Sequence, residues 1–414
     1  MKKIPILFVL IMLFSISCEK EVSELPEVQA DAFIKFLGNY MADEARDVVT
    51  LEDGGYAICG TVTVPDTGSR MFLIITDEYG NPKPGFPTYY TVDDRESGGT
   101  ALVSKKGGSG GFLLCGWVER PKPSGTGMQM DMLIVKTSNE GVEHWTKVYG
   151  SAEDEKILHG TLGLSSGFML AGYQENVNGE QDIMIMGLEE DGDSIELEFL
   201  FNKPEGSADA RANHIINAGD TYLAVCTYDK VVGEGTDILV LNFDDELAPN
   251  DEVIQGNYDE YGKCIVNDTL NKYIVLGSQI KEQTGLSEIL VYSVEKRGWV
   301  MDRPKLIGTI SEIGANLEPE EMIRVGPGKF TIVGTRKVVG QDEDPEDVPG
   351  DIFLQFLEFY QEKDRILFGN SGDQRGMGID LATDGGLVIC GSNGDEQGGN
   401  SMITLIKTDD KGRF

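Results

Sequence analysis

The chain has 414 residues, with 70 Asp and Glu against 35 Lys and Arg, a formal net charge of −35, and 52 Gly. An acidic excess of this size excludes nucleic acid as a partner, because phosphate binding needs a basic face, and it disfavours docking on anionic lipid. The length would suit two or three ordinary domains, but an internal repeat overrides that count.

Residues 1–18 stand apart from the rest. Lys2 and Lys3 open the chain, and residues 4–14 are uncharged and apolar apart from Pro5. That run is too short for a membrane-spanning helix and has the layout of an export signal. The following Ser15-Ile16-Ser17-Cys18 resembles a lipoprotein signal, although Ser15 stands where Leu is usual. The resemblance implies cleavage before Cys18 and acylation of that residue. An ordinary secretory signal is the alternative, and it too implies export. Residues 19–31, with Glu19, Glu21, Glu24, Glu27 and Asp31, read as a solvated acidic tether. An acidic stretch here resembles the surface-export signals of some gram-negative lipoproteins. That implies an outer-membrane lipoprotein displayed on the cell surface, the alternative being the periplasmic face.

From residue 32 onward the chain repeats. Asp53-Gly54-Gly55-Tyr56-Ala57-Ile58-Cys59-Gly60 returns almost unchanged as Asp384-Gly385-Gly386-Leu387-Val388-Ile389-Cys390-Gly391. Aligned on the short apolar run, there are seven copies, starting at Tyr56, Phe112, Phe168, Tyr222, Tyr273, Phe330 and Leu387, with spacings of 56, 56, 54, 51, 57 and 57. Six end in Gly, and Cys226 is the exception. Each run lacks alternation, as expected of a strand buried on both faces. A second apolar run follows each copy, at 71–75, 131–135, 182–186, 237–241, 288–292, 351–356 and 402–406, and most of these are followed by a hairpin turn. A further short strand precedes each copy, and a fourth, often ending in Gly, lies earlier at 33–38, 145–150, 253–256, 306–308 and 366–369.

Four antiparallel strands in about 55 residues make a propeller blade. The expected fold is therefore all-β: a seven-bladed β-propeller over 32–414 with four-stranded antiparallel blades. The last unit stops one strand short while the first has a spare strand ahead of it, so the N-terminal strand is expected to close the last blade. The repeat resembles the bacterial β-propeller repeat family found in exported lipoproteins. Units four and five depart most from the pattern: unit four lacks both the Asp-Gly-Gly and the final Gly, and unit five has Leu270-Asn271-Lys272 in the turn.

Without Cys18, five cysteines remain. Cys59, Cys115 and Cys390, with Cys226 near the same place, occupy equivalent positions in different blades and cannot meet at disulfide spacing. They read as small buried side chains, and no CxxC spacing suggests a zinc site.

The loops leaving the second strands are long and irregular, and recognition is normally built on such loops. Two sets of residues lie there. Trp117, Tyr173, Tyr228 and Arg336 follow the second strands and could stack on a sugar or peptide and supply a charged donor. An acid recurs before the first strands: Asp43, Asp94, Asp154, Asp209, Asp259, Glu312 and Asp373. These acids would either bind neighbouring backbone amides or form an electronegative rim able to take a cation such as calcium, although no EF-hand spacing is present. His144, His159 and His214 come from different repeat positions, and neither a Gly-x-Ser-x-Gly elbow nor an HExxH motif occurs. The expectation is a monomeric, non-catalytic envelope lipoprotein that binds protein or glycan and needs no cofactor. A carbohydrate-active enzyme using paired carboxylates and a structural subunit of an envelope complex are the alternatives.

Overall fold

The computed structural model describes residues 32–414 apart from 106–107, 109, 193, 202–208, 231–234, 245–249, 255–258, 341–342, 370 and 396–398. The signal, Cys18 and the tether lie outside the described residues.

The described strands form seven antiparallel sheets. The first strands of the seven blades are Glu44–Thr50, Ser97–Ser104, Glu155–Leu162, Ala210–Asn217, Asp259–Thr269, Ala315–Gly326 and Gln374–Leu381. Each packs against the first strands of both neighbouring blades, and the seventh packs against the first. The ring is therefore closed, with these strands around its axis. The expected seven-bladed propeller is what the chain forms.

The repeat signature makes physical sense strand by strand. In the turn, Asp53 Oδ1 accepts the Gly55 N–H at 3.1 Å, and Asp384 Oδ1 accepts the Gly386 N–H at 2.9 Å. The glycine between them, Gly54 or Gly385, sits at φ +84° or +86°, a region that side chains disfavour. The apolar run that follows is sandwiched between neighbouring blades: Tyr56, Ala57, Ile58 and Cys59 are all buried. The core is accordingly divided into seven apolar clusters, one at each blade–blade interface. Each cluster buries Ile and Leu side chains, with Val, Met or both, from two blades, so burial of apolar area is what holds the ring together. The five cysteines Cys59, Cys115, Cys226, Cys264 and Cys390 are free and buried within the blades.

The N-terminal strand Phe33–Leu37 pairs antiparallel with Ser401–Thr408, from Phe33 opposite Lys407 to Leu37 opposite Ile403. It supplies the fourth strand of the blade whose other three strands end the chain, as the repeat count requires. The sequence pattern missed the fourth strands of the first and third blades. Thr88–Tyr90 has three residues, too few for periodicity to register, and Ser194–Phe201 lacks the terminal Gly that marks several of the others. In the fifth blade the third strand, Ser287–Arg297, pairs with both the short Val300–Met301 and the fourth strand Lys305–Ile310.

Candidate functional site: the central channel

The Gly that ends the repeat signature shapes the axis of the ring. Gly60, Gly116, Gly172, Gly277, Gly334 and Gly391 lie opposite Ala45, Gly99, Ile157, Gly262, Pro319 and Gly376 of the first strands. A Cβ on any of these signature glycines would come within 3.0 Å of the carbonyl oxygen of Glu44, Gly98, Lys156, Tyr261, Glu318 or Arg375, respectively. The missing side chain lets that carbonyl press inward. Immediately afterwards the first strand of every blade shifts register by one residue, leaving Arg46, Thr100, Leu158, Asn213, Lys263, Glu320 and Met377 as bulged residues. A β-bulge re-aims a side chain and sharpens the local twist. Here seven bulges line one channel.

The residue after the bulge ties the blades together. Asp47 accepts the Leu102 N–H of the next blade at 2.7 Å, His159 Nδ1 accepts that of Ile215 at 3.3 Å, and Glu321 accepts that of Ile379 at 2.8 Å. Burial pushes the Asp47 carboxyl up to about 7 and drives Glu321 well above the ordinary carboxylate range. Burial likewise lowers His159 to about 4 and holds His214 neutral. The two imidazoles stack with ring centres 3.7 Å apart, and the buried His214 Nδ1 has no hydrogen-bond partner among the described residues.

The channel encloses about 720 Å³ and opens towards the loops that leave the second strands of the fifth and sixth blades, where Gly285, Asp344 and Pro345 border it. Its charges are unevenly matched. Lys263 pairs with Glu320 at 3.0 Å, Lys337 with Glu318 at 3.2 Å, and Arg46 with Glu44 at 3.0 Å. Lys156 and Arg211, at the same register position in the third and fourth blades, reach no hydrogen-bond or ion-pair partner among the described residues. Burial lowers the pKa of the Lys156 ammonium; nearby Arg46 and Arg211 add to this and Glu44 opposes it. A partly desolvated lysine among other cations favours an incoming anion.

The acids expected at the rim are spread among the blade interfaces. Asp154, Asp209, Asp259 and Asp373 each accept one backbone N–H at or near the start of the preceding blade's third strand: Met130 at 3.0 Å, Gln181 at 2.8 Å, Thr236 at 3.1 Å and Gly350 at 2.9 Å. In the second and sixth blades Ser97 and Asn316 do this instead, for Met71 and Ser287. Asp94 sits in a left-handed turn, and its carbonyl accepts from Arg70. Glu312 holds Arg336 and Arg365. Asp43 accepts the amides of Asn39 and Thr63, while its own N–H donates to the Ser401 carbonyl in the seventh blade. No group of three metal-ligating side chains forms among the described residues.

The loop-root residues do not converge either. Tyr173 and Tyr228 are buried, and the Tyr228 hydroxyl donates to Asp237. The Arg336 guanidinium is held by Glu312, with Asp351 at 3.8 Å. Trp117 packs over Gly98, where a Cβ would strike its indole. None of the four borders the channel cavity. Sequence reading missed the channel residues themselves, although one signal was present: in five of seven blades the bulged residue lies 14 positions before the signature Gly.

No family model matches this chain, and no curated protein does. Similar solved structures include puromycin hydrolase, at 9% identity and a TM-score of 0.52, covering 90% of this chain and 53% of that one. The chain thus spans about half the length of the puromycin hydrolase. The β-propeller domain of the Trilobed protease from Pyrococcus furiosus aligns at 11% identity and a TM-score of 0.48, over 90% of this chain and 96% of that one. A Hadza microbial sialidase aligns at 10% identity and a TM-score of 0.45, over 84% and 74%. At such identities the likeness is one of fold alone. The chain is a seven-bladed β-propeller, closed by its N-terminal strand and bulged inward at every blade.

Proposed function

We propose that this protein is a non-catalytic, lipid-anchored envelope protein whose propeller binds a glycan or protein ligand at the loop-side mouth of its channel. The observation that carries this reading is the cavity of about 720 Å³ lined by Lys156 and Arg211, two cations without partners among the described residues. That volume falls in the range of ordinary ligand pockets. Five of the imidazole and carboxylate groups in the lining are engaged elsewhere: His159 in an inter-blade hydrogen bond and a stack with His214, Asp47 and Glu321 on backbone amides, Glu318 and Glu320 on lysines; Lys156 is left free among the described residues. This supports binding over general acid–base chemistry by those five groups, because such chemistry needs a free, positioned group. The signal-like residues ending in Cys18 support an anchor on the outer membrane, with the tether of residues 19–31 holding the ring off it.

The test is a glycan and protein binding screen on residues 19–414, repeated with Leu158→Trp to fill the channel. Binding abolished by Leu158→Trp supports the reading. Binding unaffected by it, or release of reducing sugar from a bound glycan, overturns it. Palmitate labelling of cells expressing the full chain should mark the wild type and not Cys18→Ser. Equal labelling of both removes the anchor.

A further inference from the structure

We infer that the channel takes an acidic sugar, with a carboxylate held between Lys156 and Arg211 and the ring lying on Tyr261; this rests on the channel reading above. The three residues come from consecutive blades, and each is the residue two positions before the bulge. All three line the same cavity. They therefore form a continuous arc of two cations followed by an aromatic ring.

The wall beside the arc carries no competing charge. At the equivalent position the second blade has Gly98, over which Thr61 and the Trp117 indole pack, and the bulged Thr100 there is turned to the Ile157 carbonyl at 2.6 Å. Across the channel the carboxylates of Glu318 and Glu320 are bound by Lys337 and Lys263. The cationic arc is thus the part of the lining whose charge is unmatched. The net charge of −35 does not cancel it. Charges farther than about 8 Å are screened at physiological salt, whereas those in a walled channel act on whatever enters it.

The side chains favour a sugar acid over a bare anion. An arginine fork and an ammonium suit a carboxylate, phosphate or sulfate equally. Tyr261 adds an aromatic surface that an inorganic anion cannot use and the apolar face of a pyranose can.

The experiment is calorimetric titration of residues 19–414 with trigalacturonate, maltotriose and inorganic phosphate. Saturable binding of trigalacturonate is expected, with maltotriose at least tenfold weaker. Lys156→Met and Arg211→Met should each weaken trigalacturonate at least tenfold, and Tyr261→Ala about fivefold, with melting temperatures within a few degrees of wild type. Lys329→Met, on the surface away from the channel, should change nothing and controls for general charge. Phosphate binding that matches trigalacturonate, with Tyr261→Ala silent, overturns the sugar assignment. No saturable trigalacturonate binding overturns the inference, and if Leu158→Trp still blocks another ligand, the channel reading survives it. Trigalacturonate binding unaffected by Leu158→Trp brings both down.

Discussion

Asp47 in the first blade accepts the Leu102 N–H of the second at 2.7 Å while partly buried in the channel wall. Burial raises its pKa to about 7, against the lowering effect of the Leu102 and Val48 amides, and the charge of Asp380 adds to the rise. The folded chain therefore keeps a proton on this acid that the unfolded chain, with a carboxyl near 3.9, gives up. The stability it contributes is complete below about pH 4 and is lost as pH rises through about 7. His159, lowered to about 4, acts in the opposite sense, its contribution growing from about pH 4 to 6.5. Asp47→Asn keeps an acceptor for Leu102 and removes the titration. Its melting temperature relative to wild type should rise between pH 5 and pH 8. A constant difference across that range would show that Asp47 does not titrate there.

Gly172 faces the Lys156 carbonyl too closely to carry a side chain. Gly172→Ala should cost about 3 kcal/mol in urea unfolding, as overpacking a tight site does. Cys226 holds the equivalent place in the fourth blade with a side chain already present, so Cys226→Ala should cost only about 1 kcal/mol. Equal costs would mean that the close approach of the strands is not what the glycine serves.

Closure of the ring depends on a five-residue strand. Its Phe33 ring meets Tyr56 of the first blade edge-on, with centres 6.2 Å apart, so it packs on the blade beyond the one it completes. Phe33→Ala should cost about 2 kcal/mol, less than a fully buried phenylalanine because the ring is only partly covered. Removing residues 32–38 should lower the urea midpoint further and expose the edge of Ser401–Thr408 to association between chains. A midpoint unchanged by the deletion would show that the clasp contributes nothing.

Asp209 Oδ1 is occupied by the Gln181 amide at 2.8 Å. Asp209→Ala should destabilise by about 0.5 kcal/mol, because the bond is exposed and water can satisfy the freed donor. Millimolar calcium should shift the wild-type melting temperature by less than about 1 °C, because a metal would have to displace such bonds. A shift of several degrees that Asp209→Ala abolishes would instead identify the acids as a calcium rim.

Much of the fold was legible because it is written seven times. A blade cannot bury its faces alone, so Tyr56–Val64 and its six counterparts each need the same apolar run, and spacing alone counts them. Thr88–Tyr90 escaped notice because an outer strand of three residues carries no period. The acids before the first strands were visible as a recurrence. Whether they faced a cation or an amide depended on which atoms lay opposite, and those belong to the preceding blade.

The channel residues were hidden for a related reason. Lys156, Arg211 and Tyr261 lie at least 50 residues apart in the chain and look like ordinary polar residues of short strands. They share a wall because of the ring's curvature and a one-residue bulge, and periodicity read along one strand contains neither. The repeat by itself determined seven blades, their closure and their buried middle strands, since local turn chemistry and apolar burial set these within each unit. Only the tertiary structure decided which side chains face the axis and which lack a partner there, because both depend on what neighbouring blades place across the gap.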